Sequence, residues 1–427
     1  MNEDHPNYKA YCDLLNNELV CAMGCTEPIA IAYCAAKARS VLEAIPDRVE
    51  IKASGNMIKN TKSVVVPNTG GRRGIDAAAA AGILGGDETS GLQVLAGVSK
   101  ETVRALPEYL KNTPFHIQPF RTEYLLDIEI TVYRKDASAS VRIAGEHTNI
   151  VHIEKDGEVV FDKPCDLGDP DREGTTGLNL EDIYDFACTC RLEDIAPCLE
   201  NQIKCNWAIA REGLRGEYGS SIGRMLLDTC GDSPRMKARA YAAAGSDARM
   251  NGCEMPVVIN SGSGNQGITV SVPVLVYAES LNASPEKTLR ALALANLISL
   301  HEKAGIGRLS AYCGAVSAGA AAGAGIAFLY DASFEEISNT VINALAVDAG
   351  IICDGAKSSC AGKISLAVEA GITGFEMSRA GKSFPGGDGL VSANAETSLD
   401  RFSRLGRIGM QGTDEEIIKM MTTEQEK

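Results

Sequence analysis

Hydrophobic and polar positions along the chain fall into two textures. Residues 8–43 read as helix, interrupted at Gly24-Cys25-Thr26-Glu27-Pro28, and Pro28 fits the first turn of a second helix. From 48 to 160 apolar residues alternate with polar ones, most clearly at 124–133, 139–143 and 149–153, which predicts strands. Asp156-Gly157 signals a hairpin turn between two of them. The Ala-rich run 76–84 predicts a helix inserted among the strands. Residues 164–176, dense in Asp, Gly and Pro, predict a linker. From there to about 381 the composition is helical and strand signals are weak. The pattern predicts an α+β protein, with an N-terminal α+β domain over 1–170 and a mostly α-helical domain over 171–427.

The long uncharged stretch 309–330 is dominated by Ala and Gly, which supply little drive for membrane insertion, so it is expected to be a buried helix. Gly314, Gly319, Ala322 and Gly323 would let a neighbouring helix approach closely. Of 427 residues, 45% are apolar and 23% charged, the balance of a soluble protein with a large core. The excess of 56 acidic over 41 basic residues gives a net charge of −15, which argues against nucleic acid or an anionic membrane as partner and points to a small ligand. The first residues have neither a basic segment nor an apolar one of the export type. A reduced, cytoplasmic protein is therefore expected, whose 14 cysteines form no disulfides. A homodimer is the default assembly.

Cys313, Cys353 and Cys360 are the only cysteines after Cys253, and the last two bracket a segment rich in special residues, Cys353-Asp-Gly-Ala-Lys-Ser-Ser-Cys360. On one helix these two would stand about 10.5 Å apart along the axis, too far to grip one compact centre. The segment is expected to loop, with Gly355 allowing the turn. Three thiolates there would hold a metal centre with one position open for substrate. A single buried cysteine is more commonly a small hydrophobe, and the spacings of 40 and then 7 positions match no paired zinc pattern, so spacing leaves the metal open. Lys357 and Lys363 flank the loop and could balance a negative centre or meet a carboxylate.

A second constellation is the loop Ser261-Gly262-Ser263-Gly264-Asn265 leading into an apolar segment. Its free backbone N–H groups at a helix start form a nest suited to a carboxylate or phosphate, and the plain alternative is a turn between buried elements. Ser-Gly-Asn-Gln-Gly is similar to the Asn loop of pyridoxal-phosphate-dependent threonine and serine dehydratases. That likeness would make Lys237 the Schiff-base lysine.

Taken together, Gly24-Cys25-Thr26-Glu27-Pro28, Asn260 to Gly267, Tyr312-Cys313-Gly314 and Cys353 to Ala361 resemble the iron–sulfur L-serine dehydratase α-chains and, more closely, the L-cysteine desulfidases. The resemblance runs over most of the chain. It implies a labile [4Fe-4S] cluster on Cys313, Cys353 and Cys360, although the last two lie closer together here than in the dehydratases. It implies a lyase that converts L-cysteine to pyruvate, ammonia and hydrogen sulfide, with L-serine as a further substrate. Cys25 would be the base, or a resting-state ligand that substrate displaces, with a structural role as the plain alternative. Lys357 would act with it. Asn56, Lys59 and Asn60 would close over the substrate, and His301, Glu302 and Asp388 are weaker candidates. Two other readings stay open: a pyridoxal-phosphate-dependent amino-acid dehydratase, and a non-catalytic iron–sulfur redox sensor.

Overall fold

Alternation along the strands decides how the first region packs. In the computed structural model, which describes residues 1, 3–165, 177–307 and 309–423, six strands form one sheet. They are β2 (Arg48–Ala53), β3 (Phe115–Pro119), β4 (Asp127–Arg134), β5 (Ala137–Ala144), β6 (Ile150–Lys155) and β7 (Glu158–Asp162), in the order β3-β2-β4-β5-β6-β7; β1 (Cys21–Met23) lies apart from them. β2 runs parallel to β3, and every other pair is antiparallel. Val49, Ile51, Ile128, Ile130, Val132, Val141 and Ile143 put one face of the sheet against the helices Thr26–Leu42 and Ile75–Gly85. Between β6 and β7, Asp156 and Gly157 both take positive φ, +53° and +85°, as a two-residue hairpin loop requires. The expected linker falls, from residue 166 on, outside the described residues.

The remainder is helical, so the fold is α+β. At its centre the helix Gly314–Leu329, mostly Ala and Gly, is buried on nearly every side. Gly264–Leu281, Pro285–Ile306, Phe334–Asp348 and Cys360–Arg379 pack around it. Short side chains permit that close approach, so the central helix can be reached from several directions at once. Serine caps fix several helix starts. Ser233 and Ser284 precede a first-turn proline, and Ser333 forms a reciprocal capping box with Glu336.

Both ends of the chain cross between the two regions. Tyr8, Tyr11 and Leu15 of the first helix, Tyr8–Glu18, belong to the helical core. The last helix, Gln411–Thr423, lies against Gly55–Thr61, where buried Lys59 and Asn56 both meet Asp414. Among the described residues no helix is long and apolar enough to cross a membrane.

Candidate active site

A two-stranded ribbon sets up the site. β1 pairs antiparallel with β8 (Pro256–Val258), and each strand runs directly into a loop that starts a helix. β1 leads through Gly24 to Cys25, the N-cap of Thr26–Leu42. β8 leads into the turn closed by Asn260 N–H to Ser263 O (3.1 Å) and Ser263 N–H to Asn260 O (3.0 Å), after which Gly264–Leu281 begins. Ser261 and Gly262 have positive φ, +50° and +74°, so the loop does turn its amides in the manner of a nest.

A second pairing brings the cysteines together. Tyr312 and Ile352 form an antiparallel bridge, flanked by Cys313 N–H to Ile351 O (3.1 Å) and Cys353 N–H to Ala311 O (2.6 Å). Cys313 is the N-cap of Gly314–Leu329, and Cys360 opens Cys360–Arg379. The expected loop between Cys353 and Cys360 is present. Gly355 turns it at φ +95°, and a Cβ there would stand 2.4 Å from the Lys59 carbonyl oxygen, so only glycine lets the loop settle on that helix.

Four helix starts thus meet at one cavity of about 100 Å³, lined by Cys25, Cys313, Cys353 and Cys360. Their amide ends all favour negative charge at that point. Glu27, Asn60, Ser263 and Asn265 complete much of the wall. Burial, reinforced by the charges of Cys353 and Cys360, pushes the Cys313 thiol up to about 12. Burial likewise raises Cys360. Thiols crowded in a low dielectric give up their protons together only when a cation neutralises them. Among the described residues no three His, Cys, Asp or Glu side chains converge on a single ion. A cluster makes a different demand, because each cysteine binds its own iron, and Cys313, Cys353 and Cys360 all line this cavity.

The other expected residues are placed as follows. Cys25 is buried and its sulfur donates to Glu27 Oε2 at 3.0 Å. Burial, then the charge of Glu27, holds its thiol well above the usual range despite the helix start, so Cys25 is a thiol rather than a free thiolate. Asn60 Nδ2 reaches Glu27 Oε1 at 3.1 Å. Ser263 and Asn265 face the cavity, whereas Ser261 turns back to Asn260 Oδ1 (3.0 Å), and Gly262 and Gly264 do not line it. Asn56 donates to Asp414 Oδ2 (2.9 Å), away from the wall. Lys357 sits behind the cysteine loop, donating to the carbonyls of Asp354 and Gly355 (both 3.2 Å). Lys363 pairs with Asp354 as well. Burial alone would raise Asp354, but these two lysines outweigh it and hold the carboxyl down at about 2. His301 pairs with Glu396 (2.8 Å), and Asp388 lies in an exposed turn. Lys237 pairs with Asp232 (3.3 Å) and lines a separate cavity with Trp207 and Tyr241, not the one holding the nest.

The sequence alone assigns no role to three lining residues, although Glu27 and Gln266 lie inside two of the motifs quoted above. Glu27 is buried beside Cys25, Gln266 follows Asn265, and Arg249 is fully buried at the end of Pro234–Met250. Arg249 Nε and Nη2, Asn265 Oδ1 and Gln266 Oε1 are buried without a hydrogen-bond partner. For Arg249 the available signal is a run of mostly small residues, 242–250, that carries two charges, Asp247 and Arg249.

A family model described as the serine dehydratase alpha chain matches residues 56–419. The chain is 50% identical to a UPF0597 protein of Desulfitobacterium hafniense, over 97% of this chain and 96% of the relative. It is 48% identical to one of Lachnoclostridium phytofermentans (97% and 99% covered) and 43% identical to one of Treponema denticola (99% of both). The family match begins after Cys25 and Glu27, while these relatives cover nearly the whole chain.

Proposed function

The chain belongs to the serine dehydratase alpha chain family, and from that premise we propose that it is a cytoplasmic lyase acting on L-cysteine, with L-serine as a further substrate. The observation that carries this reading is the convergence of Cys25, Cys313, Cys353, Cys360 and Asn265 on one cavity. We assign Cys313, Cys353 and Cys360 as ligands of a [4Fe-4S] cluster. Such a cluster would supply a Lewis-acidic iron with an open coordination position.

The chain's own residues supply positioning and proton transfer. Ser263, Asn265 and the amides of the nest hold the polar head of the amino acid. Cys25 and Glu27 act as one base. Glu27 keeps the thiol proton, and the sulfur so freed takes the proton from Cα. The electron pair of that C–H bond becomes the Cα=Cβ bond as the Cβ–S bond breaks, and the sulfur leaves with its bonding pair as hydrosulfide, which takes the proton held by Glu27 to become hydrogen sulfide. The aminoacrylate tautomerises, and water converts it to pyruvate and ammonia. Asn60 fixes the orientation of Glu27. Lys357, from behind the loop, holds the carbonyls of Asp354 and Gly355 so that Cys353 and Cys360 keep their spacing. The division at 170/171 fits two hydrophobic cores, one on the sheet and one among the helices, with Tyr8–Glu18 crossing to the second.

The reading is tested by purification without oxygen. The protein should be brown, carry iron and acid-labile sulfide, and show a broad absorption that air bleaches. A sharp pyridoxal band abolished by Lys237→Ala, with all three cysteine variants active, would overturn it.

A further inference from the structure

Arg249 is 2% exposed, yet its Nε and Nη2 find no hydrogen-bond partner in the protein. A buried guanidinium with two of its three nitrogens unpartnered is unfavourable, so a fold that keeps one is suited to hold an anion there. The neighbouring backbone makes room for it. A Cβ at Gly264 would stand 2.4 Å from Arg249 Nε, so glycine at that position lets the side chain lie across the start of Gly264–Leu281. Glu27, the acid on the same wall, has its oxygens engaged by Cys25, Thr26 and Asn60. Glu27 is thus occupied, and the thiolates assigned to the cluster are committed to iron, which leaves a bound ligand as the anion for the fork. Asn265 Oδ1, also buried and unpartnered, lines the same cavity and offers an acceptor near the donor fork.

A planar N–H fork matches a carboxylate, and a carbonyl acceptor matches an ammonium group. We infer that Arg249 binds the α-carboxylate of the substrate while Asn265 Oδ1 accepts from its α-ammonium. Arg249 is a specificity-determining residue that restricts the site to free α-amino acids. The inference rests on the amino-acid reading above, but it is tested by binding rather than by turnover.

The test is calorimetric titration of oxygen-free holoprotein with L-alanine, which has no β-leaving group, and with L-alaninamide, which lacks the carboxylate. The wild type should bind L-alanine roughly thirty-fold more tightly, the scale of one charge-assisted contact. Arg249→Gln should bind both ligands alike at unchanged iron content. Arg249→Lys, which keeps the charge but not the fork, should retain part of the preference. A wild type that binds neither ligand or does not discriminate overturns the inference, as does Arg249→Gln with the full preference. If Arg249→Gln loses its iron or its fold, Arg249→Lys decides, and an undiminished preference there overturns it. A wild type that selects L-alanine through Arg249 yet yields no pyruvate from L-cysteine or L-serine overturns the lyase reading and leaves the carboxylate site standing.

Discussion

Glu27→Gln is the substitution that most sharply separates chemistry from packing at this site. The carboxylate accepts from Cys25 Sγ at 3.0 Å, Thr26 Oγ1 at 3.2 Å and Asn60 Nδ2 at 3.1 Å, all without leaving the core. Glutamine preserves the shape and one acceptor oxygen, but turns an NH2 group toward donors. Losing one charge-assisted contact should lower stability by about 1.5–3 kcal/mol. If Glu27 holds the Cys25 proton during turnover, kcat should also fall by about 10²–10⁴, or roughly 3–5 kcal/mol of barrier. The assay is single-turnover pyruvate formation from L-cysteine without oxygen, with iron measured on the same sample. A kcat within about threefold of wild type, or a loss confined to KM, would refute the base assignment. A faster variant would refute it differently. The charge of Glu27 raises the Cys25 thiol, so acceleration on its removal would mean that Glu27 only suppresses the thiolate.

Cys313→Ala, Cys353→Ala and Cys360→Ala should each fail to retain iron, whereas Cys25→Ala should keep much of its iron and lose turnover; full activity in Cys25→Ala would exclude it as base and as resting-state ligand. Asn265→Ala should raise KM for L-cysteine by roughly ten- to a hundred-fold at unchanged iron content, and an unchanged KM and kcat would return the loop to the role of a turn. Burial raises Asp348 to about 8, so between about pH 4, its unfolded value, and about pH 8 the folded state holds a proton that the unfolded chain has released, and stability falls as pH rises through that window. Asp348→Asn should therefore melt higher than wild type above about pH 8, with the gap closing toward about pH 5, and a gap that is constant across thermal scans would contradict this.

Where local patterning governs, the fold was legible. Two-residue alternation located β4 and β5, Asp156-Gly157 located the hairpin, and the small-residue run 309–330 contains the central helix, which begins only at Gly314 because Tyr312 and Cys313 are still extended against Ile351 and Ile352. Sequence clustering also pointed to Cys313, Cys353 and Cys360 sharing one place, and all three line the same cavity. β1 and β8 were not legible. Three residues are too short to show a period, and the ribbon exists only because residues more than two hundred apart in the chain pair. Arg249 and Glu27 were passed over because a charged residue on a helix is ordinarily solvated, and their burial arises from tertiary packing. Asn56 and Lys59 looked like lid residues, but their partner is Asp414, on a C-terminal helix whose position no local pattern encodes.

The most direct measurement is the product balance of the oxygen-free protein with L-cysteine. Pyruvate, ammonia and sulfide should appear in equal amounts, without added pyridoxal phosphate, and all three should stop together when air bleaches the iron–sulfur absorption. Protein that carries the cluster and releases none of the three products from either L-cysteine or L-serine would contradict the account, as would products that continue undiminished after the cluster is gone.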